Sequence, residues 1–161
     1  MFTNKGVLQD EFVTTDSYGP AQARDGLSIT LTVLDLSSAP ESGVLERNLA
    51  GLRQAGFQVN YQHYPLDGGD RQAQVGVNAR SQILSNALSN PESAYVAAAR
   101  GGYGASDLLR HLDWSALSSL PETILIGFSD ISALQIALHT RLGWPAIHGP
   151  MPGSSLWTNG P

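Results

Sequence analysis

Thr123-Ile124-Leu125-Ile126-Gly127-Phe128-Ser129-Asp130-Ile131-Ser132-Ala133-Leu134-Gln135-Ile136-Ala137-Leu138 is the stretch that decides the architecture of this chain. Thr123 to Ile126 is a short apolar, β-branched run of the kind that forms buried parallel strands. Ile131 to Leu138 repeats apolar residues at helical spacing. Only Gly127-Phe128-Ser129-Asp130 lies between them, so a strand must turn sharply into a helix. A serine on such a turn has the geometry of a nucleophile elbow, with its hydroxyl exposed and the following N–H free to hold an oxyanion. The same four residues also read as an ordinary N-cap, and the glycine usual two positions after an elbow serine is Ile131 here.

Working outward, the strand-then-helix pattern repeats. Ala94-Tyr95-Val96-Ala97-Ala98-Ala99 is a continuous small and apolar run, a buried-strand pattern, which stops at Arg100-Gly101-Gly102-Tyr103-Gly104 and precedes a short helix over Ala105 to His111. Upstream, Leu27 to Leu34 is rich in β-formers, and after Ser37-Ser38-Ala39-Pro40 a helix runs from about Glu41 to Gln54 and ends at Gly56. Phe57 to Tyr61 alternates as a strand, and a loop with Gly68-Gly69-Asp70 leads into a helix from about Arg71 to Leu88, closed by Asn90-Pro91. Downstream, a helix over Asp130 to Leu142 is followed by a short strand at Ala146-Ile147-His148.

Strands separated by helices imply right-handed crossovers and an α/β fold: a doubly wound, mostly parallel sheet flanked by helices. Such sheets bind ligands outside the carboxyl ends of their strands. The turns at 100–104 and 127–130 both follow strands and are therefore expected on one edge. Residues 1–25 lack periodicity and read as an irregular arm, and residues 26–150 form the α/β domain. The Pro- and Gly-rich stretch 151–161 packs no obvious element and reads as a linker toward a further domain.

The chain has 161 residues, 42% of them apolar, which is enough for one domain with a real core. A formal net charge of −5 and no Lys/Arg cluster argue against a nucleic-acid or anionic-membrane partner. No apolar stretch nears the roughly 20 residues that span a bilayer, and the start lacks a signal-peptide pattern, so a cytoplasmic location is expected. The absence of cysteine removes thiol catalysis and thiolate metal sites. No His/Asp/Glu set has coordinating spacing, so no metal and no cofactor are expected. Arg100-Gly-Gly-Tyr-Gly lacks the lysine of a P-loop and the spacing of a dinucleotide fingerprint.

Gly101, Gly102 and Gly104 either present backbone N–H groups, which with the amide of Asp130 would make a two-donor oxyanion hole, or serve a tight turn needing positive φ. A serine nucleophile needs a base, and the histidines are His63, His111, His139 and His148. His139 lies about 15 Å along its helix from Ser129, too far for a hydrogen bond. His111 suits the end of a short helix, and His63 ends an early strand. His148 is the one expected to reach the edge of the sheet that holds Ser129, more as a turn anchor or substrate contact than as the base.

Together and in this order, Ala99-Arg100-Gly101-Gly102-Tyr103-Gly104, the segment Leu108-Leu109 to Leu112-Asp113, Ile126 to Leu134, and His148-Gly149-Pro150-Met151 resemble the L,D-carboxypeptidase family. That family includes the murein tetrapeptide carboxypeptidases and the microcin C self-immunity peptidases. The resemblance covers roughly residues 41–151, including Gly69-Asp70-Arg71. It implies a flavodoxin-like N-terminal domain, similar to class I glutamine amidotransferases. It also implies Ser129 as catalytic nucleophile, backbone amides of Gly102 and Asp130 as oxyanion hole, and Arg100, Tyr103 and His148 around the substrate. The implied substrate is a small peptide, murein tetrapeptide in cell-wall recycling, with an acyl-sulfamoyl-adenylate antibiotic as the alternative within the family.

Family members complete a Ser-Glu-His triad from a C-terminal domain, and no position here matches that glutamate or histidine. The chain is therefore expected to be an N-terminal fragment, nearly inactive alone, whose partners are the missing domain and, in a homodimer, a second copy. A non-catalytic peptide-binding module is the reading from a different class. One departure is Leu31-Thr32-Val33-Leu34-Asp35-Leu36-Ser37-Ser38, in place of a first strand ending in Pro-Ser, which bears on the substrate contacts of the first loop.

Overall fold

A computed structural model describes residues 29–63 and 74–157. In chain order these form β1 (Thr30–Leu34), α1 (Ser42–Gln54), β2 (Gln58–Gln62), α2 (Gln74–Leu88), β3 (Tyr95–Ala98), α3 (Trp114–Leu117), β4 (Ile124–Gly127), α4 (Ser132–Leu142) and β5 (Ala146–His148). Short 3-10 segments cover Ser106–His111, Ser129–Ile131 and Ser155–Trp157. The strands pair in the order β2-β1-β3-β4-β5, every pair parallel. The predicted doubly wound sheet is the one that forms. Its winding reverses between β1 and β3, the position at which such sheets open a crevice at their carboxyl ends.

Alternation along the strands sends side chains into two cores. Leu34, Val96, Ala98 and Leu125 face one way and pack with Val77, Leu84 and Leu88 of α2 and Leu134 and Leu138 of α4. Leu31, Val33, Ala97 and Ala99 face the other way and pack with Leu45 and Leu49 of α1. The central strand β3 is buried on both faces, which accounts for its unbroken apolar sequence.

Boundaries differ from the sequence expectation at several places, each for a local reason. The strand expected at 123–126 sits one residue later, and the helix expected from Asp130 opens as a 3-10 turn before α4 starts at Ser132. The helix expected over 105–111 is a 3-10 turn throughout. The four-residue α3 is too short to show periodicity. Asp113 starts it by accepting the Ala116 N–H at 2.9 Å, and Trp114 is held beneath the Arg141 guanidinium at 4.6 Å. The arm at 1–25, the Gly68-Gly69-Asp70 loop and Arg71 lie outside the described residues.

Residues 151–153, within the stretch expected to pack no obvious element, do pack. Met151 is buried in the larger core. Asn48 on α1 donates to the Pro152 carbonyl at 2.7 Å, and the Gly153 N–H donates to the Ala99 carbonyl at 2.7 Å. These bonds satisfy a buried amide and the last carbonyl of the β3 run, and they strap residues 151–153 across the end of the sheet. Glycine is required in that strap, because a Cβ at Gly153 would lie 2.6 Å from the Ala99 carbonyl oxygen and 2.6 Å from Pro40 Cβ. Gly153→Ala is expected to lose about 1–3 kcal/mol of stability, read as a lower urea midpoint with unchanged m-value.

Candidate active site

β4 delivers the chain to Phe128 in extended conformation, and the next residue, Ser129, turns to φ 61°. Among the described residues it is the one non-glycine with positive φ. An N-cap serine sits in extended backbone with its hydroxyl on a helix N–H. Ser129 is instead left-handed, and its hydroxyl takes no hydrogen bond among the described residues. A left-handed conformation costs a non-glycine residue about 1–2 kcal/mol, a strain typical of functional positions.

The glycine-rich turn after β3 lies against this elbow. A Cβ at Gly101 would be 3.1 Å from Ser129 Cβ and 3.3 Å from the Phe128 carbonyl oxygen. Gly102 has φ 129°, and a Cβ there would fall 2.6 Å from Ser38 Cβ, on the loop after β1. The Tyr103 N–H donates to Ser38 Oγ at 3.3 Å. Three loops at strand ends and the strap thus meet around a cleft of about 280 Å³, lined among others by Glu41, Arg100, Gly102, Ser129, Met151 and Ser154.

Asp130 ties the loops together. Its Oδ2 accepts from Ser37 Oγ at 2.6 Å and from the Ala105 N–H at 2.7 Å. Its own N–H lies in the first turn of a helix, where no intrahelical carbonyl is in reach. Behind the elbow, Gln135 of α4 donates to the carbonyls of Gly127 at 3.0 Å and Ile147 at 2.8 Å, fixing the ends of β4 and β5.

The residues singled out from the sequence fall into two groups. Ser129, Gly102 and Arg100 line the cleft, with Arg100 Nη1 donating to the Ala39 carbonyl at 2.9 Å. Tyr103 and His148 do not line it. The Tyr103 side chain is largely exposed, and only its backbone joins the loop cluster. His148 pairs in register with Gly127 and sets its ring edge-on to Phe128 at 6.3 Å, so it touches the cleft through Phe128.

Among the described residues no histidine bonds Ser129. His63 lies by Asp35 and Tyr61 at the end of β2, three strands and about 14 Å from β4. His139 contacts the Trp144 carbonyl.

Sequence reading assigned no site role to Ser37, Ser38, Glu41, Met151 or Ser154, although the first two were noted as a departure in the first loop and Met151 as part of a family block. The signal for the first three was available: they come after a strand of a parallel sheet, the edge where sites form. Met151 and Ser154 sit in a Pro- and Gly-rich stretch whose composition matches a linker.

Residues 32–149 match the LD-carboxypeptidase N-terminal domain family of peptidases, S66, and the chain belongs to that family. It is 40% identical over 115 residues to the murein tetrapeptide carboxypeptidase of Pseudomonas aeruginosa, covering 71% of this chain and 37% of that protein. It is 30% identical over 74 residues to the microcin C7 self-immunity protein MccF of Escherichia coli, covering 46% of this chain and 22% of that one. The crystal structure of an MccF-like protein from Bacillus anthracis superimposes with a TM-score of 0.68 at 26% identity, over 78% of this chain and 39% of the other. The chain thus spans less than two fifths of the length of these relatives. No helix among the described residues is long and apolar enough to cross a membrane.

Proposed function

We propose that this chain is the nucleophile domain of a cytoplasmic serine L,D-carboxypeptidase, which in the complete protein removes the terminal D-alanine of murein tetrapeptide during cell-wall recycling. The observation that carries the reading is Ser129 at φ 61° in the wall of a cleft floored by the glycine-rich turn. Ser129 Oγ attacks the carbonyl carbon of the terminal peptide bond as a base takes its proton. The N–H groups of Gly102 and Asp130 hold the oxyanion of the tetrahedral intermediate. Collapse breaks the C–N bond, the leaving amine takes the proton from the base, and water then cleaves the acyl-enzyme. By resemblance, the base is a histidine oriented by a glutamate, both from a domain beyond this chain, so the isolated chain turns over little.

Murein peptide is preferred to a microcin-type conjugate because the match to the murein enzyme is the more extensive, 40% identity over 71% of the chain against 30% over 46%. A fluorophosphonate probe followed by peptide mass spectrometry tests the nucleophile, with D-alanine release and acyl-sulfamoyl-adenosine cleavage assayed in parallel. An adduct on Ser129 together with D-alanine release supports the reading. An unlabelled Ser129 in a complete protein that still binds the tetrapeptide would make it a binding module instead. Arg100 is the cleft cation that suits the substrate's terminal carboxylate. Arg100→Met is expected to raise KM by about 10- to 100-fold with a smaller change in kcat, the worth of one charge-assisted hydrogen bond.

A further inference from the structure

We infer that the side chains of Arg80 and Asp130 form a paired brace that sets the glycine-rich turn against the elbow, making both of them positioning residues for the oxyanion donors. Arg80 lies on α2 and is fully buried. It donates from Nη1 to the carbonyls of Leu36, at 2.7 Å, and Gly104, at 3.2 Å. Asp130 takes the adjoining groups: the Ser37 hydroxyl at 2.6 Å and the Ala105 N–H at 2.7 Å. One cation thus holds the carbonyls of residues 36 and 104, and one anion holds donors on residues 37 and 105. The two loops are cross-linked at adjacent residues by charges of opposite sign.

The chemistry of the bonds explains the choice of residues. Each bond joins a full charge to a polar group, the stronger class of hydrogen bond, and the two from Arg80 are buried, with little water to compete. A buried guanidinium is costly unless its donors are used, and Nη1 places its donors on these two carbonyls. Gly102 lies between the braced residue Gly104 and the cleft, held at φ 129° over Ser38. Releasing either charge lets that turn relax, and an amide that has moved by about 1 Å is a poor oxyanion donor.

The catalytic part of this inference rests on the peptidase reading, whereas the brace itself is read without any activity. Amide hydrogen exchange on this chain compares wild type with Asp130→Ala and with the milder Ser37→Ala. Exchange at Ala105 is expected to speed up by about 10- to 100-fold in Asp130→Ala, with Val96 to Ala98 unchanged. In the complete protein the same variant is expected to lower kcat by about 10²-fold with KM within about threefold, Asp130→Asn recovering part of the loss and Ser37→Ala losing less.

Unchanged exchange at Ala105 would overturn the brace, and kcat falling only as the folded fraction falls would overturn its role in positioning the oxyanion donors. A wild-type protein that fails to label at Ser129 would overturn the peptidase reading alone, because the exchange result decides the brace either way.

Discussion

Ser129→Ala in the complete protein is expected to remove peptide hydrolysis, with kcat down by about 10⁴- to 10⁶-fold and the circular dichroism spectrum unchanged. The size comes from the role, since nothing else at the elbow supplies a nucleophile in the proposed mechanism. A companion variant separates chemistry from backbone. Ser129→Gly removes the hydroxyl and also the left-handed strain at φ 61°. It should be as inactive as alanine yet about 1 kcal/mol more stable than wild type in urea unfolding. An elbow that holds its serine for function shows this opposition of activity and stability. A serine kept only as a helix cap would show the reverse, losing stability in Ser129→Gly and sparing turnover.

Gly102→Ala carries the second largest effect. The position combines φ 129° with a Cβ that would be driven into the Ser38 side chain, so alanine must move the turn or the loop after β1. With Gly102 donating to the oxyanion, the expected loss is about 10²- to 10³-fold in kcat, accompanied by about 2 kcal/mol of stability. Steady-state kinetics at a temperature well below the melting midpoint distinguishes the two. A kcat within about fivefold of wild type in folded protein would remove Gly102 from the proposed oxyanion hole.

Much of this candidate site's placement was legible in the sequence because its two central turns are bounded by strong local signals. An unbroken apolar run such as Ala94 to Ala99 has few ways to be buried other than as a central parallel strand, and the helical spacing of Ile131 to Leu138 places a helix directly after Ser129. The parts that were not legible depend on partners far apart in sequence. The role of the Asp130 side chain needs Ser37, 93 positions away, and Ala105, 25 positions away.

Arg80 occupies the helical face that also carries Val77, Leu84 and Leu88, so an arginine at an apolar position was itself a sign. Met151 to Gly153 misled through composition: glycine and proline mark a linker in sequence, but here glycine admits a close approach to Ala99 and Pro40. The strand boundary at Gly127 shifted by one residue because pairing with His148 extends the ladder past the apolar run.

The strap that carries Met151 and Gly153 has a consequence in time as well as in space. Parallel strands pair only after each crossover has been made, and contacts between distant residues form late. The last wall of the cleft is held by Asn48 to Pro152, a contact across 104 positions, and by Gly153 to Ala99. A nascent chain therefore has β1 to β3 in hand before it has a cleft. Ser129 gains its surroundings only when the domain is complete, and until then it is an ordinary hydroxyl.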